Sequence, residues 1–160
     1  MKILLAVDGS LYSEDAAEVV AETPWPAATI VRVLNAVEDV IPFATAFWYG
    51  PRNSLGYVQR QMTERAKQVC TRAVELLRVR GLKTEVVVRE GDARSVIVDE
   101  AKEWPADLIV LGSHGHSTRR CLLRSIAQAV ITHAPCSVEV VRRPLPERSP
   151  KMDPIVWGIQ

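Results

Sequence analysis

Short apolar runs alternate with longer stretches of helical spacing along this chain. Residues 3–7 form a continuous apolar run, as in a strand buried on both faces, and residues 28–37 are rich in β-branched side chains. Further strands are predicted at 84–89, 107–111 and 137–142. Strands that alternate with helices favour a parallel sheet. The predicted fold class is therefore α/β, with a five-stranded parallel sheet sandwiched by helices.

Four helices are predicted between the strands, from apolar residues three and four positions apart. The first is expected to start near Ser13 as its N-cap and to end at Pro24. The longest covers about 56–80 and has Gly81 where a C-cap belongs. Ser95 or Asp92 is expected to cap a third helix that runs through Glu103, and Pro135 ends a fourth that begins near Leu122.

Two segments lack this regularity. Residues 38–55 carry four aromatic side chains among glycine and prolines, which predicts either a loop that seals its own core edge or a surface for a ligand or partner. Residues 144–160 contain four prolines amid charges and predict a flexible tail, although its apolar triplet 155–157 is unusual for one. The expected organisation is one domain over 1–143 and a proline-rich tail over 144–160.

Composition narrows the partners and the compartment. A formal net charge of +1 over 160 residues favours neither nucleic acid nor a membrane surface as a partner. The three cysteines are widely spaced without a CxxC motif, so a reducing, cytoplasmic location is expected. No run approaches the ~18 apolar residues of a membrane span.

Two loops have the character of a ligand site. Asp8-Gly9-Ser10 follows the first strand, and Gly112-Ser113-His114-Gly115 follows the fourth. Ligands of open parallel sheets bind beyond the carboxyl ends of the strands, where the strand order reverses. If these two strands are neighbours, Asp8 could accept a hydrogen bond from a ribose or adenine group, and the glycine loop could hold phosphates. Two alternatives stay open: Asp8 merely caps its own turn, or the glycines form a turn without a ligand.

At this point the chain resembles a known family. Ile3-Leu4-Leu5-Ala6-Val7-Asp8-Gly9-Ser10, Gly91-Asp92-Ala93, the run from Asp107 to Gly115, and His133-Ala134-Pro135-Cys136-Ser137-Val138 look like motifs of the universal stress proteins. The resemblance covers residues 1 to about 143. It implies a Rossmann-like fold of the adenine nucleotide alpha hydrolase type, a homodimer paired through the last strand (Ser137 to Arg142), and, in many members, bound ATP with weak or absent hydrolysis.

The resemblance also implies site residues. Adenine contacts fall on Asp8 and on the backbone near Ala36, and phosphate contacts fall on Gly112 and Gly115. The nucleotide-binding pattern continues as Gly-x2-Gly-x9-Gly-Ser/Thr, which places Ser125 at the serine and Arg124 where a third glycine is usual. Only eight residues, 116–123, separate Gly115 from Arg124, one fewer than the pattern has.

Those two changes bear on whether the loop can still bind the phosphates of a nucleotide. An arginine brings a Cβ and a long side chain into space that a glycine leaves open, and a shorter loop shifts the register of its N–H groups. Conversely, Arg119, Arg120 and Arg124 could hold phosphates through their guanidinium groups. ATP is therefore a possible cofactor, with Mg²⁺ expected only if ATP binds.

Three functions follow as hypotheses. The first is a non-catalytic stress-response binding module with a partly degraded adenine-nucleotide site. The others are a ligand-free dimeric interaction protein and a weak ATP hydrolase. No catalytic residue and no metal site are predicted, because His114 and His116 have no nearby carboxylate in the sequence to complete a ligand set.

Overall fold

The computed structural model describes residues 1–38, 53–113 and 124–142, with side chains from 56 in the second range and from 126 in the third. The predicted loop over 38–55 and the tail over 144–160 fall almost wholly outside the described residues and stay predictions. Nine elements lie within the described ranges. In chain order they are β1 (Lys2–Ala6), α1 (Leu11–Glu22), β2 (Ile30–Val37), α2 (Asn53–Val79), β3 (Lys83–Glu90), α3 (Ala93–Glu103), β4 (Leu108–Gly112), α4 (Arg124–His133) and β5 (Ser137–Val141).

The strands form one five-stranded parallel sheet, as the sequence predicts. Their spatial order is β3-β2-β1-β4-β5. The chain therefore builds outward from β1 to β3 on one side and then crosses to β4 and β5 on the other. The order reverses between β1 and β4, which places the loops that follow these two strands beside each other.

Alternate side chains of the strands enter two separate cores. Ile3, Leu5 and Val110 face α1 and α2, whereas Leu4 and Ile109 face α3 and α4. All five are completely buried. Successive residues of a strand point to opposite faces, so a sheet covered on both sides needs the continuous apolar runs seen in β1 and β4.

The start of α1 differs from the prediction. Ser10, not Ser13, is the N-cap, and its side chain accepts from the Ser13 N–H. Ser13 lies inside the helix, where its hydroxyl accepts from the Gly9 N–H and donates to the Ser10 carbonyl. Both serines are buried at this turn. Of these two serines, which stand three residues apart, Ser10 lies nearer β1. It therefore accepts from an N–H group of the first helical turn that has no partner within the helix.

The other boundaries lie close to the predicted ones. Asp92, one of two predicted caps, starts α3 by accepting from the Ser95 N–H. The Arg94 side chain hydrogen-bonds this carboxylate and is the main reason that the pKa of Asp92 is lowered. Gly81 follows α2 at a φ of +81°, a conformation that glycine adopts without strain.

A buried ionic cluster that the sequence did not reveal holds α3 on the sheet. Glu100 of α3 is only 3% exposed. Its carboxylate accepts from Arg32 of β2 at 2.8 Å and from Arg89 of β3 at 3.0 Å. The Arg32 guanidinium also lies 4.3 Å from the centre of the Trp104 ring. The paired charges tie α3 to two strands and offset the cost of burying the carboxylate.

Replacing Glu100 by glutamine should lower the free energy of unfolding by about 2 to 3 kcal/mol, because it leaves the half-buried Arg32 with a neutral partner on that side. Urea unfolding monitored by circular dichroism measures this. The matched control is Glu103→Gln, whose carboxylate is exposed and 3.8 Å from Arg89, and whose cost should stay below about 0.5 kcal/mol. Equal effects of the two variants would contradict a special role for the buried carboxylate.

Candidate functional site

A crevice opens at the carboxyl ends of β1, β2 and β4, on the sheet face covered by α3 and α4. Its walls are mostly apolar, and its polar contributions come from the ends of the strands and the turn into α1. The residues that line it include Ala6, Val7, Asp8, Ser13, Leu34, Ala36, Ala93, Ile97, Leu111, Gly112, Ser113, Ile126 and Ala127. Of the six predicted site residues, Asp8, Ala36 and Gly112 line this crevice, where the strand order reverses.

Asp8 closes its own turn, one of the two alternatives that the sequence left open, and it also borders the crevice. Its Oδ1 accepts from the Ser10 N–H at 2.9 Å, which closes the turn between β1 and α1. Gly9 within this turn has a φ of +80°, a region that disfavours residues with a Cβ. The exposed carboxylate also borders the crevice. Because a carboxylate offers about four acceptor positions, closing the turn and accepting from a ligand are compatible.

Ala36 borders the crevice from β2 and is held there by a residue that the sequence reading missed. The neighbouring Asn35 is 7% exposed, and its amide donates to the Val7 carbonyl at 2.7 Å. The Val7 N–H in turn donates to the Leu34 carbonyl. These bonds extend the pairing of β1 and β2 past the end of β1, and fix Asp8 relative to Ala36. In the sequence, the amide side chain of Asn35 among the apolar residues of β2 was the signal that a buried hydrogen bond forms here.

Gly112 is required by packing, whether or not a ligand is present. It is the last residue of β4 and pairs with Val141 of β5. A Cβ added here would lie 2.6 Å from the carbonyl carbon and oxygen of Tyr12, in the first turn of α1. Such a distance is a steric clash with backbone, so only glycine lets α1 approach β4 this closely. The same closeness brings the Asp8 turn against the end of β4.

The remaining predicted phosphate contacts are only partly described. Gly115 lies outside the described residues, as do His114 and His116. Arg124 and Ser125 are the first two residues of α4, but their side chains are outside the described set. The next turn of the helix supplies Ile126 and Ala127 to the crevice wall. The start of α4 is therefore close to the crevice, as a phosphate-binding role for its first turn requires.

Thiol, metal and membrane chemistry concern residues outside this crevice. Burial raises the pKa of the Cys70 thiol to about 11, which keeps it neutral and unreactive near pH 7. Within the described ranges, no group of three or more His, Cys, Asp or Glu side chains could hold a metal ion. In the same part of the chain, no helix is both long and apolar enough to cross a bilayer.

Relatives of known name share most of this chain. Universal stress protein MJ0531 of Methanocaldococcus jannaschii is 31% identical over 153 residues, which cover 91% of this chain and 84% of the relative. Universal stress protein A homolog 2 of Coxiella burnetii is 32% identical over 110 residues, covering 69% and 72% of the two chains.

A solved structure shows the same fold. The universal stress protein of Archaeoglobus fulgidus, in a structure described as a complex with dAMP, superposes with a TM-score of 0.63 at 24% identity, covering 88% of this chain and 97% of that one. The model of the universal stress protein family matches residues 1–142, which include every described residue. The chain therefore belongs to the universal stress protein family.

Proposed function

We propose that this protein is a cytoplasmic stress-response binding module that holds an adenine nucleotide, without turnover, in the crevice between Asp8 and Gly112. The observation that carries the proposal is the meeting of Asp8, Ala36 and Gly112 at one apolar crevice where the strand order reverses. The dAMP complex of the A. fulgidus relative supports the class of ligand.

The crevice suits the base and ribose of such a ligand. Ile97 of α3 and Leu34 of β2 offer apolar surface on which a flat ring can pack. The Asp8 carboxylate can accept from an exocyclic amine or a ribose hydroxyl, and backbone groups at Ala36 can pair with a ring edge. Among the described lining residues, Asp8 is the one carboxylate. This supports binding over hydrolysis, which also needs an acid to position water or a metal ion.

The phosphate end of the site is where this chain departs from the family pattern. Arg124 replaces a glycine at the start of α4, and the preceding loop is one residue short. Loss of one or two charge-assisted hydrogen bonds to backbone N–H groups would weaken the hold on phosphates by one to three decades. We therefore expect base and ribose contacts to dominate, so that ATP binds no more than about tenfold tighter than AMP.

Replacing Asp8 by asparagine tests the base and ribose contacts. The asparagine oxygen can still accept from the Ser10 N–H, so the turn should persist, while the charge-assisted bond to the ligand is lost. AMP and ATP should both bind about 10- to 100-fold more weakly by isothermal titration calorimetry. The control is Asp99→Asn on α3, which pairs with Lys102 outside the crevice. Absence of binding of AMP, ADP and ATP to the parent protein at millimolar concentration would refute the proposed ligand.

Restoring the family pattern tests the phosphate end. Arg124→Gly combined with one residue inserted between Gly115 and Arg124 should raise ATP affinity about tenfold or more and change AMP affinity less than about threefold, since only the contacts to the outer phosphates are rebuilt. The insertion alone serves as the control for loop length. A fall in ATP affinity would show instead that the Arg124 guanidinium is the phosphate partner.

A second proposal concerns assembly: two copies pair through β5. This strand is the last of the sheet, and only β4 pairs with it in the described chain. An open edge is a ready template for another strand, and self-pairing of two identical edges satisfies it. Such a dimer is also what the ligand-free interaction hypothesis needs, and the packing requirement for Gly112 keeps that hypothesis available, because it explains this glycine without a nucleotide.

Replacing Val140 of β5 by aspartate should shift the protein from dimer to monomer at about 10 µM, because the change brings two carboxylates together across a symmetric interface. Light scattering after size exclusion measures the mass, and the thermal midpoint checks the fold. The control is Val79→Asp, since Val79 is 83% exposed at the far end of α2. A parent protein that remains monomeric at about 100 µM would contradict the assembly.

A further inference from the structure

A second cavity, of about 200 Å³, lies on the opposite face of the sheet, in the groove between α1 and α2. Its floor is formed by the small residues Ala17 of α1 and Ala73 of α2, which are 3% and 8% exposed. Val69 and Leu76 of α2 add apolar walls. The short alanine side chains at these two positions leave room that larger side chains would have filled.

Charges of both signs line this cavity without pairing. Glu14 and Glu18 contribute from α1, and Arg72 contributes from α2. Within the described residues, no ion pair shorter than 4 Å joins Arg72 to either glutamate. All three residues are exposed, so a ligand in the cavity can reach their charged ends.

The same two helices do form an ion pair further along. Glu22 at the end of α1 and Arg80 just past α2 approach to 3.9 Å. Glu14 and Arg72 each stand eight residues earlier, which is about 2.2 helical turns, so their side chains are rotated by about 80° from this pair. Both charges line the cavity. A ligand with charges of opposite sign at its two ends can therefore pair with both signs of charge in this lining.

We propose that the α1–α2 cavity binds a free amino acid with a small aliphatic side chain. The ammonium group contacts the Glu14 and Glu18 carboxylates, and the carboxylate pairs with the Arg72 guanidinium, whose planar fork matches it in two hydrogen bonds. The aliphatic side chain packs on Ala17, Ala73 and Leu76. Two carboxylates and one guanidinium disfavour a nucleotide or another anion, and Arg72 disfavours a diamine.

This site is separate from the nucleotide crevice and does not depend on it. The sheet lies between the two cavities, and the residues common to both linings are Val7 and Ser13, at the end of β1 and the start of α1. Gly9, whose N–H donates to the Ser13 hydroxyl, also borders the α1–α2 cavity. The Gly9 amide is therefore a reporter for a ligand on the α1–α2 side.

Titration of the full-length ¹⁵N-labelled protein with L-valine tests the proposal. Amide signals of Gly9, Ala17 and Ala73 should shift, with saturation in the range of about 0.1 to 1 mM. Arg72→Gln should weaken binding at least about tenfold, and the exposed Arg72 can be changed without opening the core. Arg65→Gln, an exposed arginine two turns earlier on α2, is the matched control and should bind as the parent does.

Two analogues of valine separate its charges. Isobutylamine lacks the carboxylate and isovalerate lacks the ammonium group, and each should bind at least about tenfold more weakly than L-valine. The proposal is wrong if L-alanine, L-valine and L-leucine shift none of these amides at about 20 mM. It is equally wrong if the two analogues bind as well as valine, or if Arg72→Gln leaves the affinity unchanged. None of these results bears on nucleotide binding, which the calorimetry of Asp8→Asn tests by itself.

Discussion

The close approach of α1 to the end of β4 is the contact on which the geometry of this protein depends. Gly112 lies so near the Tyr12 carbonyl that any Cβ would meet backbone at 2.6 Å. This approach is possible because β1 and β4 are neighbours, so the helix that follows β1 crosses the carboxyl end of β4. The Asp8 turn therefore lies beside the end of β4, and both border the crevice. The crevice beside this turn is therefore a consequence of how α1 packs on β4, and it exists whether or not a ligand binds.

The rest of the crevice is held by polar contacts that do not themselves touch a ligand. Asn35 joins the end of β1 to β2, and buried Glu100 joins α3 to β2 and β3 through Arg32 and Arg89. The apolar walls from Ala93 and Ile97 belong to this same helix. Isolated buried charges are costly, so Glu100 is tolerated because two guanidinium groups converge on it. The ionic cluster thus stabilises the fold and also sets the position of α3, which forms one wall of the crevice.

The sequence predicted the fold well because its strongest signal, the pattern of apolar positions, recurs in every strand and helix. Continuous apolar strands such as residues 3–7, alternating with amphipathic helices, admit few arrangements other than a covered parallel sheet. The details that failed depend on tertiary contacts. Ser10 and Ser13 are equivalent as caps until the position of β1 is known. Asn35 is a polar residue in an apolar strand, and its role becomes clear only when the Val7 carbonyl is found beside it. The glycine pattern singled out Gly112 as a phosphate contact, and the structure gives this glycine a packing cause, the Tyr12 carbonyl, that no local motif carries.

The two ends of the proposed nucleotide crevice show how recognition of the base and of the phosphates can be separated in such a protein. The proposed base side rests on Asp8 and Ala36, which the sheet and α1 hold in place regardless of any ligand. The proposed phosphate side rests on Gly112, on the loop after β4 and on the start of α4, where Arg124 stands in the position of a glycine. Val130, further along α4, is completely buried and anchors the helix in the core. In the proposed site, the sheet and α1 therefore constrain the base contacts. A preference for a shorter phosphate chain can then arise while the crevice itself persists. On the other face, Val7 and Ser13 border the α1–α2 cavity as well as the crevice. An occupant of that cavity would contact the turn that positions Asp8. If that contact changed the affinity of the crevice for a nucleotide, the nucleotide would change the affinity of the α1–α2 cavity for its own ligand by the same factor.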